Sequence, residues 1–360
     1  MTPNPPPVTG AWREGDRPGR RRWLPLPGPV PGARIAYETW GTLNADRSNA
    51  VLVEHALTGD SHAAGPPEPG HPTTGWWDGV IGPGRAVDTS RYFVICPNVL
   101  GGCQGTTGPS TIAPDGRAWG SRFPKVGIRE QVAAEVALAD ALGITRWAAV
   151  LGGSMGGMRA LEWAVDLPDR VATLLLLACP AAASAEQIAW ASPQLHAIRA
   201  DPDWHDGDYY DKPHGPLLGL GVARRIAHVT YRSEPELADR FGRDHQEDGR
   251  YAVESYLDHH ADKLFHRFDA GSYVLLTEAM NNHDIGVDRG GIEAALARVT
   301  ARTVVAGVDS DRLYPLYQQE RLAAGIPTAE GDLRVITSSA GHDGFLTETA
   351  QLAALLKELL

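Results

Sequence analysis

The sequence is poor in cysteine. Its three, Cys96, Cys103 and Cys179, are too few for a disulfide scaffold, and no CxxC pair supports a thiolate zinc site or a thioredoxin-type motif. It also lacks a long apolar run. The longest, ATLLLLACPAAA (172–183), is too short to span a bilayer and is broken by Pro180. The N-terminal stretch MTPNPPPVTGAW has no apolar signal-peptide core, so the expected location is cytoplasmic. A basic excess is missing too. Thirty-three Lys and Arg against 44 Asp and Glu give a net charge of −11, which argues against nucleic-acid or anionic-membrane partners. One short basic cluster, RPGRRRW (17–23), reads as a solvated tail rather than an anion-binding arm.

Glycine and proline are plentiful, at 40 and 27 residues, which implies many turns; the absence of a G-X-Y period excludes collagen. An apolar share of 43% and a charged share of 21% exclude disorder over most of the chain. A length of 360 residues fits two domains, or one large α/β domain with an insertion.

Short apolar runs read as buried strands at AVLVEHAL (50–57), RYFVICPN (91–98), WAAVLGG (147–153), VATLLLLA (171–178), ARTVVAG (301–307) and LRVITSS (333–339). Amphipathic stretches separate them. In IREQVAAEVALADALG (128–143), Val132, Val136, Ala139 and Leu142 share a helical face, and Gly143 suits a C-cap. This alternation predicts a mostly parallel, doubly wound sheet. It stops after about Ala183. Residues 184–296 show helical patterns only, opened by a capping box at Ser184 and Gln187. The expected organisation is a leader (1–29), an α/β domain (30–183 and 297–360), and a helical lid inserted at 184–296.

Residues 152–156 read GGSMG, a G-x-S-x-G centred on Ser154, between a strand pattern and a helix pattern. That context marks a nucleophile elbow: a tight turn that needs small neighbours and exposes a serine at the sheet's C-terminal edge. A serine nucleophile needs a base, and the base an orienting acid, in chain order Ser, Asp or Glu, His. VDSDRLYP (308–315) and SAGHDGFL (339–346) follow the last two strands and supply those types in that order. His342 is the base. Asp311, just before the turn LYP, is preferred as the acid; Asp309 reads as a turn cap. The backbone N–H groups of Met155 and Leu57 would form the oxyanion hole. Two His-rich stretches, 204–214 and 258–267, have no complete metal-ligand set, so no metal is expected.

Six motifs together resemble the homoserine O-acetyltransferase family. They are HALTGDSH (55–62), NVLGGCQGTTGPSTIAPDGRAWGSRFP (98–124), GGSMGGMRALEWA (152–164), ARRIAHVTYRS (223–233), SDRLYP (310–315) and GHDGFL (341–346). The resemblance covers roughly residues 30–355. It implies an α/β-hydrolase fold with a helical lid, no bound cofactor, and a homodimer built through lid helices. It further implies transfer of an acetyl group from acetyl-CoA, as co-substrate, to the hydroxyl of L-homoserine, on the route to methionine. Ser154, Asp311 and His342 match the family's triad. Arg224 and Asp343 match positions that hold the amino acid, and Tyr231 and Thr58 match residues near that pocket. A zwitterionic acceptor needs one cation and one anion, which Arg224 and Asp343 would supply. Arg225 reads as a solvated lid residue. Open alternatives are a succinyl donor, a serine acceptor, or water as acceptor in an esterase.

Overall fold

The computed structural model describes residues 8–329 and 332–360, so the first seven residues of the leader lie outside the described residues. The described residues form ten strands: β1 (Arg22–Pro25), β2 (Arg34–Trp40), β3 (Ala50–Glu54), β4 (Ile81–Gly82), β5 (Val87–Asp88), β6 (Phe93–Pro97), β7 (Ala149–Gly153), β8 (Thr173–Leu177), β9 (Arg302–Val308) and β10 (Leu333–Ile336). Eight form one sheet in the order β1-β2-β6-β3-β7-β8-β9-β10, while β4 and β5 pair separately. From β6 to β10 every pairing is parallel; β1–β2 and β2–β6 are antiparallel.

The six strands expected from apolar runs are β3, β6, β7, β8, β9 and β10. Those inside the sheet are mostly apolar on both faces because both faces are covered, while the edge strand β10 leaves Val335 exposed. Along β8, Leu174 and Leu176 enter one buried cluster while Leu175 and Leu177 enter the other, as the two-residue period requires. The first cluster packs the sheet against α1 (Ile128–Ala141) and α2 (Met155–Asp166); the second packs it against the C-terminal helix α11 (Thr349–Leu359) and Trp77. Helix α1 stops where Gly143 adopts a φ of +69°, the left-handed geometry of a C-terminal cap.

Between β8 and β9 come α3 (Ala185–Arg199), α4 (Leu217–Tyr231), α5 (Glu234–Phe241), α6 (Ala252–Phe265), α7 (Ala270–Asn281) and α8 (Ile292–Leu296), with no strand among the described residues there. Ser184 and Gln187 form the expected reciprocal cap on α3. A third cluster, which includes Leu195, Ile198, Leu220, Leu264 and Tyr273, joins these helices to Leu57 and Met155 at the sheet's edge. After β9 come α9 (Leu316–Gly325), α10 (Gly344–Thr347) and then α11. Among the described residues no helix is long and apolar enough to cross a membrane.

The basic leader cluster is not a solvated tail. Arg22–Pro25 is an edge strand of the main sheet. Arg21 is buried, and its guanidinium donates to the carbonyls of Gln104 and Gly70, each at 3.0 Å, and to Gln104 Oε1 at 3.0 Å. Upstream, Gly10 N–H donates to Phe268 O at 3.0 Å and Trp12 N–H to Cys103 O at 2.9 Å. The leader thus bridges the sheet and the helical block. A four-residue edge strand carries too little periodicity to be read in advance, and an arginine's stem packs well once carbonyls meet its head.

Candidate active site

Strand β7 ends at Gly153 and α2 starts at Met155, so Ser154 is the whole connection. Its φ of +56° and ψ of −127° lie in a region that non-glycine residues enter only under strain. The flanking glycines are needed for space. A Cβ on Gly152 would sit 2.2 Å from Gly156 O, and one on Gly156 would sit 2.1 Å from Glu54 O. Three backbones, β3, β7 and α2, meet here. Gly156→Ala is expected to destabilise the fold by about 3 kcal/mol, the top of the overpacking range, read as a lowered denaturation midpoint.

The strand ends bring the predicted triad together. Ser154 Oγ lies 2.9 Å from His342 Nε2, and His342 Nδ1 lies 2.6 Å from Asp311 Oδ2. All three side chains are buried. The second oxygen of Asp311 accepts from Leu313 N–H at 2.8 Å and Tyr314 N–H at 2.9 Å, which locks the carboxylate plane. Asp309 faces elsewhere: it accepts from Ser338 N–H at 3.0 Å and ties the loops after β9 and β10 together. Ser310 reinforces that tie, donating to Ser338 O and accepting from Gly341 N–H at 3.0 Å. Tyr314 packs over the His342 ring at 4.9 Å and Phe345 meets it edge-on at 5.2 Å.

Met155 N–H opens a twelve-residue helix, where orphan donors and the positive end of the helix dipole coincide. Neither Met155 N–H nor Leu57 N–H donates to another group among the described residues. Both remain free to donate.

Ser154 and His342 open into a cavity of about 320 Å³, which Leu57, Thr58, Arg224, Tyr231 and Asp343 also line. Arg224 comes from α4. Its Nη1 donates to Thr58 Oγ1 at 3.3 Å, and its guanidinium lies 5.8 Å over the Tyr231 ring. Its Nε is buried without a partner among the described residues, leaving donor capacity for a ligand. Arg225 points away and pairs with Asp258 at 2.5 Å.

Three basic residues of this cavity were not anticipated. Arg232 pairs with Asp343 at 3.3 Å and with Glu236 at 3.2 Å. Arg267 donates to Thr58 O at 2.8 Å, and Lys263 stands exposed on α6. Burial pushes the Asp343 carboxyl above the ordinary aspartate value, against the pull of Arg232 and His342. Burial and then Arg224 depress His260 to about 4, and the same two causes depress His228, so both rings are neutral. Arg232 directly follows Tyr231 in the motif ARRIAHVTYRS, which is the signal available in sequence. Its partner is 111 positions away, which is why the pairing was not.

One group of metal-ligand types occurs among the described residues: Glu38, His62 and His71, all buried. The two imidazoles stack 4.1 Å apart and within 9° of parallel. Ring-nitrogen lone pairs lie in the ring plane, so here they run side by side instead of converging on one ion. Glu38 instead accepts from Ser61 Oγ at 2.8 Å and meets His62 Nδ1 at 3.0 Å and His71 Nε2 at 3.2 Å. The group is buried under the leader, where His71 Nε2 accepts from Arg20 N–H at 3.3 Å.

A strained strand-to-helix turn at Ser154 and the Ser154–His342–Asp311 hydrogen bonds at this sheet's edge define a protein of the α/β-hydrolase fold, and an α/β-hydrolase-fold family model matches residues 49–349. The chain is 67% identical to a homoserine O-acetyltransferase of Thermobifida fusca (strain YX), over 100% of this chain and 98% of that one. The crystal structure of homoserine O-acetyltransferase from Bacillus anthracis superposes with a TM-score of 0.86 at 28% identity, over 94% of this chain and 96% of that one. Esterase E22 superposes with a TM-score of 0.84 at 28% identity, over 94% of this chain and 98% of that one. The chain belongs to the homoserine O-acetyltransferase family.

Proposed function

We propose that this protein transfers the acetyl group of acetyl-CoA to the hydroxyl of L-homoserine, giving O-acetyl-L-homoserine and CoA on the route to methionine. The observation that carries this reading is the Ser154–His342–Asp311 relay opening into a cavity that also presents Arg224 and Asp343. His342 Nε2 takes the proton of Ser154 Oγ, which attacks the thioester carbonyl. The tetrahedral oxyanion is met by Leu57 N–H and Met155 N–H. The C–S bond breaks, His342 returns the proton to the thiolate, and CoA leaves as thiol. Homoserine then binds with its carboxylate on Arg224 and its ammonium on Asp343, beside Thr58 and Tyr231. His342 removes the hydroxyl proton, the alkoxide attacks the carbonyl of acetyl-Ser154, the C–Oγ bond breaks, and His342 returns the proton to Ser154 Oγ.

The chain's net charge of −11 would repel an anionic donor, but Lys263, Arg267 and Arg224 make this cavity locally basic. Residues 184–296 act as the lid in this reading. Leu218 and Val222, exposed and one turn apart on α4, support a homodimer through that lid. The three cysteines are free and buried, as suits a cytoplasmic enzyme.

Thiol release from acetyl-CoA or succinyl-CoA, each with homoserine, serine or no acceptor, tests the reaction. Release that depends on acetyl-CoA and homoserine together supports transfer. Full-rate release without acceptor means an esterase, the activity named for the E22 structure. Acetyl-CoA alone should add one acetyl group to Ser154, seen by peptide mass. Arg224→Lys keeps the charge but loses the planar fork. It is expected to raise KM for homoserine roughly tenfold with little change in kcat, as for a lost ground-state contact.

A further inference from the structure

The side chain of Leu57 cannot aim the Leu57 N–H. The peptide unit joining Ala56 to Leu57 is planar and trans, so its N–H points opposite to its C=O. Whatever grips Ala56 O therefore sets the direction of Leu57 N–H. Two donors grip it. Gly59 N–H donates at 2.9 Å, and His55 Nδ1 lies at 2.8 Å. The imidazole is itself held, because its Nε2 accepts from Val99 N–H at 3.0 Å. An accepting Nε2 leaves the proton on Nδ1. Burial, and then the nearby Arg159 charge, depress His55 to about 3, so the ring is neutral at working pH.

The preceding peptide is gripped as well. Arg159 Nη2 donates to His55 O at 2.6 Å. This guanidinium is fully buried on α2, and its Nη1 meets Glu54 Oε2 at 2.7 Å and Glu135 Oε1 at 2.6 Å. Glu135 is held in turn by Trp163 Nε1 at 3.0 Å. A buried arginine between two carboxyl groups, with burial pushing that of Glu54 well above the ordinary glutamate value, is a costly way to fill space, since apolar side chains of equal volume often do it with better stability. An apolar side chain cannot fix the direction of a carbonyl. Neither His55 nor Arg159 lines the cavity, so neither meets a substrate there.

We propose that His55 and Arg159 are positioning residues that clamp two successive peptide units and so aim the Leu57 N–H at the oxyanion. This rests on the reading of Leu57 as an oxyanion donor in acetyl transfer. Two hydrogen bonds onto Ala56 O also polarise that peptide, which strengthens its N–H as a donor. Arg159 reaches the clamp from the same helix that begins at Met155. One helix thus supplies the second oxyanion donor and braces the first.

The test is the single-turnover rate of Ser154 acetylation by acetyl-CoA, with steady-state kcat and KM, in three variants referred to their folded fractions. His55→Ala removes the grip on Ala56 O. Its acetylation rate and kcat are expected to fall about 100-fold, the lower range for a lost oxyanion donor, with both KM values within about threefold. His55→Asn places an amide N–H near the position of Nδ1 and is expected to recover at least tenfold of that loss. Arg159→Lys keeps a buried cation for Glu54 and Glu135 but cannot span all three contacts; it is expected to lose about tenfold in kcat alone. His55→Ala at the wild-type rate, a loss carried by KM, or an Asn variant no better than Ala would each overturn the proposal. If the wild-type enzyme itself forms no acetyl-Ser154, the transfer reading has failed and the proposal falls with it, a result that the first three outcomes cannot mimic.

Discussion

Ser154→Ala is expected to lower kcat for acetyl transfer by about 10⁶-fold, the loss typical of removing a serine nucleophile from such a relay. In the proposed scheme the variant loses the step that converts the thioester into a serine ester. His342 stays in place, because Asp311 holds its Nδ1 at 2.6 Å and Tyr314 and Phe345 pack its ring. A correctly placed base then faces no hydroxyl to activate. Substrate affinity is expected to change little, since the cations that line the cavity are untouched. Stability should also be nearly unchanged: alanine pays the same strain as serine at a φ of +56°. The checks are initial rates, the absence of an acetylated protein by intact mass, and a thermal midpoint within a few degrees of wild type. Retention of more than about 1% of kcat would sink the acyl-enzyme scheme, because no other group could supply that much covalent catalysis.

Asp311→Asn is expected to lower kcat by about 10⁴-fold while leaving the fold intact. Both carboxylate oxygens of Asp311 are in use. Oδ1 accepts two backbone N–H groups and Oδ2 faces His342 Nδ1. An asparagine must turn its carbonyl to those backbone donors, which leaves its NH₂ facing Nδ1. His342 then accepts at Nδ1 and carries its proton on Nε2, so it cannot accept the proton of Ser154 Oγ. The variant should therefore hold its structure and its substrates but lose its base. Asp309→Asn is the control. That carboxylate accepts from Ser338 N–H alone among the described residues, a role the amide oxygen can take over, so less than a threefold change in kcat is expected. Equal losses in the two variants would remove Asp311 from its assigned role.

Much of the site was legible in the sequence because its parts are local. A strand, a one-residue turn and a helix lie within twenty positions, and their glycines report a close backbone approach that no other residue allows. The runs that became β9 and β10 carry Asp311 and His342 just past their ends, so loop position alone placed those types at one sheet edge. The switch from alternating strands and helices to helices alone at residue 184 revealed the inserted block.

Other features rest on contacts between residues far apart in the chain. The turn LYP favours Asp311 over Asp309, and the loop geometry then turns the Asp311 carboxylate to His342 and that of Asp309 to Ser338. Arg232 meets Asp343, Arg159 meets His55 O, and Glu38 meets two histidines; none of these pairings has a periodic or spacing signal. Strand β1 went unread for a related reason: its four proline-ended residues become a strand only because β2 offers an edge.

The sequence by itself therefore determined the class of sheet, the strand-to-helix turn at Ser154 and the residue types beside it, since short-range sterics and hydrophobic period act within one element. The tertiary structure alone decided what holds Asp343 and what grips Ala56 O. Burying a polar group is tolerable only with a partner, and that partner is chosen by proximity in space rather than along the chain.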